Sequence, residues 1–476
     1  MVLRYIRAFS VLAIGLAAAA SPVLAQNSDL RFAGIFGDHG VLQRDRPLHL
    51  WGTAPAHAKL TLNLNGQQAL VSADAKGHWQ ADLPAMSAGG PYSLTATDAA
   101  GSTTLSDIMI GDVFLCTGQS NMQFPVKFAT NAWNEVGASA NANLRFINID
   151  TASASTPQTE LTKPASWRVA GPDSTGDASA VCYYMSKALQ KEHGVPVGFI
   201  DSYWGGTTIQ AWISAGALQR IGYHGHIEAT QWAPNELSSL YNAMIAPLAP
   251  YTVKAIAWYQ GESNTDNPQE YAQLLPTLMA DWRGAFNRPD MPFLIVQLSS
   301  FGAPASQPGK SDWAAVREVQ RRAVDADPHA ALAVSFDFGD RNDIHPTEKT
   351  IVGNRLARAA DAIAFGQAVT PTGPEATSVS RSGDDLVVHF RYAGAGLKTY
   401  SASTAIGFEA CDIKDACHYV TAIPDGQTVV LKGADTPDTI KVRYAWADAP
   451  YVNLYSADDL PAVPFEMKIG EMEIAQ

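Results

Sequence analysis

The sequence predicts an α/β fold: a three-layer α/β/α unit on a parallel sheet, flanked by β-sandwich-like segments at both ends. Three observations carry this reading. Short alternating strand-like runs separated by turn residues fill residues 27–108. From about residue 109, apolar strand-like runs alternate with helix-like segments, the pattern of a parallel sheet with helices on both faces. Strand-like runs then return beyond Val369–Pro374, a linker rich in Pro and Thr. The expected division is 1–25 as a signal peptide, 26–108 as an N-terminal β domain, 109–370 as the α/β domain and 371–476 as a C-terminal β domain.

The chain opens on Arg4 and Arg7, the apolar run Phe9 to Ala20, a helix-breaking Pro22 and small residues at Val23-Leu24-Ala25, which together read as an export signal with a cleavage site. That run is too short to span a bilayer, and no later stretch approaches the roughly 20 apolar residues that a crossing needs. A periplasmic or secreted protein without a membrane span is expected. Of its residues, 46% are hydrophobic and 17% charged, which suits a globular chain of two or three domains. Loss of the two leader arginines takes the formal net charge from -13 to -15. Such a surface repels phosphate backbones and anionic lipid, so nucleic acid is excluded as a partner.

In the first β segment, His49–Gly52, Lys59–Leu64 and Tyr92–Thr97 read as strands. In the α/β segment the strands are Val113–Cys116, Pro196–Ile200, Val253–Trp258, Phe293–Val296 and Ala331–Val334. Between them, Val181, Met185 and Leu189 recur at helical spacing, as do Tyr271, Leu275, Leu278, Met279, Trp282 and Phe286. A last helix covers Lys349 to Phe365, and Asp385–Tyr392 and Thr439–Tyr444 are strands of the final segment. With few strands each, the two β segments are open to packing on each other. Cys411 and Cys417 bracket a polar loop and are expected to form a local disulfide in an oxidising compartment. Cys116 and Cys182 lie in apolar runs and read as free, buried small hydrophobes. No Cys or His spacing resembles a zinc site, and Asp337, Asp340 and Asp343 lack the spacing of a calcium loop. Neither a metal nor an organic cofactor is expected.

The richest stretch is Gly118-Gln119-Ser120-Asn121-Met122, directly after Val113–Cys116. It places a hydroxyl at the carboxyl end of a strand, where open α/β sheets bind ligands, and the glycine allows a sharp turn. Serine is nearly inert at neutral pH unless an imidazole accepts its proton. Asn342-Asp343-Ile344-His345-Pro346, after the last strand of the α/β segment, offers one. Asp343 and His345 stand at i and i+2 of a stretch that Pro346 keeps extended, so carboxylate and ring share a side. Two further strand ends carry Trp204-Gly205-Gly206-Thr207 and Trp258-Tyr259-Gln260-Gly261-Glu262-Ser263-Asn264, with backbone and amide donors suited to an oxyanion. Read singly, each cluster is an ordinary turn or helix cap. Four such clusters at one sheet edge point instead to nucleophilic catalysis.

With these motifs the chain resembles the carbohydrate O-acetylesterases of the sialate O-acetylesterase type, within the SGNH hydrolase superfamily. The resemblance spans nearly the whole mature chain, from Val41-Leu42-Gln43-Arg44 and Gly77-His78-Trp79 to Val442-Arg443-Tyr444-Ala445-Trp446 and Asn453-Leu454-Tyr455. It implies an SGNH-type α/β/α domain and an esterase with Ser120 as nucleophile, His345 as general base and Asp343 as its orienter. The implied oxyanion donors are the Ser120 N–H, Gly205 or Gly206, and an amide from Gln260 or Asn264. Many SGNH enzymes carry the acid three residues before the histidine; here that position is Asn342. Asp343, Asp340, Asp337 or a backbone carbonyl therefore remain open as the group that steers the base.

The expected function is release of acetate from an O-acetylated sugar or glycan, sialic acid or a hemicellulose such as xylan or xyloglucan. Two rivals come from other classes. One is a non-catalytic glycan-binding protein on the same fold; the other is a glycosidase pairing Glu262 with Asp201 or Asp343. Trp204, Trp212, Trp232 and Trp258 are candidate stacking platforms for sugar rings, against a plain core role.

Overall fold

The computed structural model describes residues 30–224 and 233–471. The expected signal peptide and Trp232 lie outside the described residues. No helix of the described residues is long and apolar enough to cross a membrane.

The strand Ser102–Gly118 organises the molecule. Up to Asp107 it alternates exposed and half-buried residues, and from Ile108 onward every residue is buried. This marks a passage from a one-sided sheet to one covered on both faces. Its first part pairs antiparallel with Gly89–Thr97, and its second part runs parallel between Val197–Tyr203 and Ala255–Tyr259. One strand therefore crosses the boundary expected at 108/109.

Edge to edge, the main sheet runs Trp167–Ala170, Asn141–Asn148, Val197–Tyr203, Ser102–Gly118, Ala255–Tyr259, Phe293–Val296 and Ala330–Ala333. All are parallel except the first, an antiparallel edge strand. Alternation along each strand sorts the core into two layers. Phe114, Cys116, Phe199, Ala257 and Leu294 pack with Val181, Met185 and Leu356 of the helices Ala180–His193 and Lys349–Ile363. Val113, Leu115, Ile200, Trp258 and Ile295 pack with Tyr271, Leu275 and Leu278 of the helix Pro268–Ala285 and Val316 of Asp312–Asp325. This is the expected three-layer arrangement. The helices begin where the sequence can stop a strand: Ser179, Asn267 and Ser311 each accept a backbone N–H at the N-cap, and Gly194 closes Ala180–His193 in a left-handed conformation.

The expected strands of the first segment appear within Leu48–Thr53, Lys59–Leu64 and Gly89–Thr97. The C-terminal segment is richer in strands than its sequence suggests. One four-stranded antiparallel sheet holds Glu375–Ser382, Asp385–Arg391, Thr428–Leu431 and Ala422–Asp425; the other holds Cys417–Tyr419, Phe408–Cys411, Lys441–Tyr444 and Phe465–Lys468. Phe390 of the first meets Phe465 of the second edge to face. No strand pairing among the described residues joins the two β segments to each other. The N-terminal one continues into the main sheet through Ser102–Gly118, and the C-terminal one docks on the helix Asp312–Asp325. There the fully buried Arg317 donates to the carbonyls of Leu298 and Ser299 on one side and of Ala447 and Asp448 on the other. Burial pushes its guanidinium down to about 9.

Cys411 and Cys417 are directly opposed across a hairpin and form the expected disulfide. The reading of Cys116 and Cys182 as free thiols is corrected: they are bonded to each other. The bond ties the end of the central strand to the first turn of the helix Ala180–His193. An apolar setting looks the same in sequence for a buried thiol and for half of a buried disulfide, so only their proximity in space separates the two.

Candidate active site

Tyr203, Gly118 and Tyr259 lie side by side in the register of three adjacent parallel strands. Trp204-Gly205-Gly206, Gln119-Ser120 and Gln260-Gly261-Glu262 therefore leave the sheet at one level, on either side of its central strand. At Gly118 φ is +134°, and a Cβ there would stand 2.1 Å from the Tyr259 carbonyl oxygen. Only glycine fits that position. Gly118→Ala is expected to destabilise the fold by about 1–3 kcal/mol, measured as a lower urea midpoint. Gln119 is extended, and Ser120 opens a single helical turn, Ser120–Gln123.

Ser120 and His345 both line one cleft of about 600 Å3, with Gln123, Phe124, Tyr203, Asn148, Asp150 and Asp177 among its other walls. His345 is about one-third exposed and stacks on Phe124, ring centroids 6.5 Å apart. Partial burial, reinforced by the nearby Lys349 ammonium, lowers the imidazole pKa from its ordinary value against the opposing pull of Asp343. The neutral, proton-accepting form is favoured. Asp343 Oδ1 accepts the His345 backbone N–H at 2.8 Å and lies 3.5 Å from His345 Nδ1. Of the other acids, Asp337 is buried in a bidentate pair with Arg355 at 2.6 and 2.8 Å, and Asp340 accepts the N–H groups of Asn342 and Asp343.

Gly205 packs directly on the serine, since a Cβ there would lie 3.1 Å from Ser120 Cβ, and its N–H donates to Gln123 Oε1 at 2.8 Å. Gly206 comes next, with φ +75°. Gln260 and Asn264 sit behind the glycine pair and do not line the cleft. Gln260 Nε2 donates to Thr207 O and to Asn264 Oδ1, which also accepts the Ile209 N–H, while Asn264 Nδ2 donates to Gln210 Oε1. Their amides brace residues 207–210 from inside. The side-chain amides that line the cleft are those of Gln123 and Asn148, which sequence reasoning passes over.

Two more residues escape sequence reasoning, Asn121 and Lys349, and they meet Glu262. Asn121 donates to Glu262 Oε1 at 2.6 Å and to the Ile344 carbonyl at 3.0 Å, and Lys349 Nζ donates to Asn121 Oδ1 at 2.5 Å. Glu262 and Lys349 are buried, so burial raises the carboxyl pKa and pushes the ammonium down to about 7. Asn121 and Glu262 stand inside the motifs, which is a usable signal; Lys349, at the start of a helix, offers none.

Glu262 and Asp201, the acids of the glycosidase reading, are both buried away from the cleft lining. Asp201 accepts the Ser179 N–H, and burial pushes its carboxyl up to about 8. Trp212 and Trp258 are core residues in an edge-to-face contact, and Trp204 packs partly buried against the same core.

The family model of carbohydrate esterases described as sialic acid-specific acetylesterases matches residues 110–362. Human sialate O-acetylesterase is 30% identical over 91% of this chain and 92% of its own, and the mouse enzyme 27% identical over 93% and 95%. A crystal structure of a carbohydrate acetylesterase from Xanthomonas citri superposes with a TM-score of 0.86 at 35% identity, covering 92% of this chain and 99% of that one. Sequence and fold agree, and the chain belongs to the sialic acid-specific acetylesterase family of carbohydrate esterases, which are carboxylic ester hydrolases.

Proposed function

We propose that this enzyme is a serine O-acetylesterase of carbohydrates in which Ser120 is the nucleophile, His345 the general base and Asp343 the residue that orients it. One observation carries the reading: a serine at the central strand end and a histidine from the far end of the α/β segment line the same cleft. His345 takes the Ser120 proton as Oγ attacks the acetyl carbonyl, and the backbone N–H groups of Ser120 and Gly206 hold the oxyanion, the Gly205 N–H being engaged by Gln123. Gln260 and Asn264 act in this reading by holding that loop in place. The protonated imidazole then gives its proton to the leaving sugar hydroxyl, and water, activated by the same base, releases acetate from Ser120. The signal-like N-terminus and two disulfides support a periplasmic or secreted enzyme.

The names of the relatives suggest O-acetylated sialic acid as substrate. The charges of the cleft favour a neutral sugar, such as acetylated xylan or xyloglucan. Lys127, the lysine among the described lining residues, is held by Asp177 at 2.8 Å, and Arg168 beside it is engaged by Asp177 and Asn148. A substrate carboxylate would have to displace one of these pairs. Faster acetate release from acetylated xylan or xyloglucan than from 9-O-acetyl sialic acid is the expected result. Asp177→Asn, which removes the carboxylate paired with both cations, is expected to narrow the gap. The reverse order in wild type overturns the electrostatic argument; new reducing ends would mean a glycosidase, and neither product a glycan-binding protein.

A further inference from the structure

Asp343 meets the imidazole only at the limit of a polar contact and is itself mostly exposed. Something else must hold the loop 340–346 against the serine turn. The side chain that reaches it from the serine motif is Asn121, whose Nδ2 donates to the Ile344 carbonyl, one residue before His345. An amide can rotate, and this one is fixed at both ends. Its oxygen accepts from Lys349 and its nitrogen donates also to Glu262, so neither rotation nor a flip of oxygen and nitrogen satisfies the same partners. Lys349 is in turn held between the faces of Phe124 and Tyr259, at 5.0 and 5.5 Å from their centroids, and Phe124 is the ring on which His345 stacks.

We infer that Lys349, bonded to the Asn121 amide that Glu262 holds from its other end, is a positioning residue for His345: it fixes the amide that pins the histidine loop and keeps a positive charge behind the imidazole. The inference rests on His345 being the base. The ionisable groups facing His345 are Asp343 on its own loop, Lys349 on the following helix, and Lys127, Asp150, Asp177 and Tyr203 across the cleft. Those facing Lys349 are Glu262, Asp343 and Tyr259, the last through its ring face. Among the groups on His345, Lys349 favours the neutral ring and Asp343 the protonated one.

The test compares Lys349→Met, Lys349→Arg and the double variant Lys349→Met/Glu262→Gln with wild type. The double variant removes the uncompensated buried carboxylate that the single change leaves, so it is the one expected to fold best. Full-chain protein is followed by circular dichroism, by pH profiles of kcat/KM on 4-nitrophenyl acetate, and by NMR titration of the His345 ring, assigned with His345→Gln. Loss of the cation makes protonation of the ring easier. Both Met variants are expected to lose about 10- to 100-fold in kcat and to move the acid limb and the ring titration to higher pH. Lys349→Arg, which keeps the charge, is expected to keep the acid limb in place. A folded double variant with wild-type kcat, or one whose kcat falls while the ring titrates as in wild type, overturns the inference. The NMR titration reports on the ring whether or not it serves catalysis, so a fully active Ser120→Ala would sink the serine mechanism without deciding this result.

Discussion

Ser120→Ala is expected to lower kcat on 4-nitrophenyl acetate by about 10⁴-fold or more while leaving thermal unfolding within about 0.5 kcal/mol of wild type. The size reflects what the hydroxyl does. Without Oγ no acetyl-enzyme forms, and only the backbone donors and substrate binding remain to speed attack by water. The fold is spared because Ser120 is half-exposed at the cleft and opens a turn whose N-cap, Gln119, makes no side-chain capping bond. His345→Ala is expected to lose a comparable factor, and the double variant little more than either, since nucleophile and base act as one unit. Wild-type-like turnover by purified Ser120→Ala, with contaminating esterases excluded by active-site titration, would sink the assignment.

Reduction of the Cys116–Cys182 bond is expected to have the largest effect on stability. The two cysteines are 66 residues apart, and closing a loop of that length removes chain entropy from the unfolded state worth about 4 kcal/mol. Cys411–Cys417 closes only six residues and acts within one hairpin, so it constrains far less. Cys116→Ala/Cys182→Ala is expected to show a urea midpoint well below that of Cys411→Ala/Cys417→Ala. Both Cys116 and Cys182 are buried, so dithiothreitol should act on the longer link only after local opening or in denaturant. Equal midpoints for the two double variants would contradict the loop-length argument.

Much of the fold is legible directly in residue patterns, and the exceptions have physical causes. Phe293–Val296 is placed to the residue because a four-residue apolar run between turn-forming neighbours leaves a strand little freedom. Ser102–Gly118 reads only as Val113–Cys116, because its first part alternates polar and apolar and resembles the strands before it. The short C-terminal strands are under-counted, since runs of three or four residues carry too few positions to show a period. Ser120 and His345 are legible because polar residues after apolar strands are unusual in chemistry and position. Gln260 and Asn264 have the right chemistry for an oxyanion, but their direction is fixed by one another and by the 207–210 backbone, which no local pattern encodes. Lys349 is invisible for a related reason. A lysine at a helix start reads as solvated, and its burial depends on Asn121, a residue 228 positions away.

The strand shared by the N-terminal β layer and the main sheet has a practical meaning for anyone cutting or grafting this gene. A junction at 108/109 would cut through one continuous strand and part Val41–Gln43 from Met109–Gly111 and Gly89 from Ile110, leaving unpaired edges on both pieces. The N-terminal β layer is therefore inseparable in engineering terms from the catalytic core. The tractable splice lies at the other end, where residues 369–374 carry no regular structure between the last helix and the first C-terminal strand. A chimera with a foreign C-terminal β segment in place of the native one must also supply acceptors for Arg317, or it will strand a buried guanidinium.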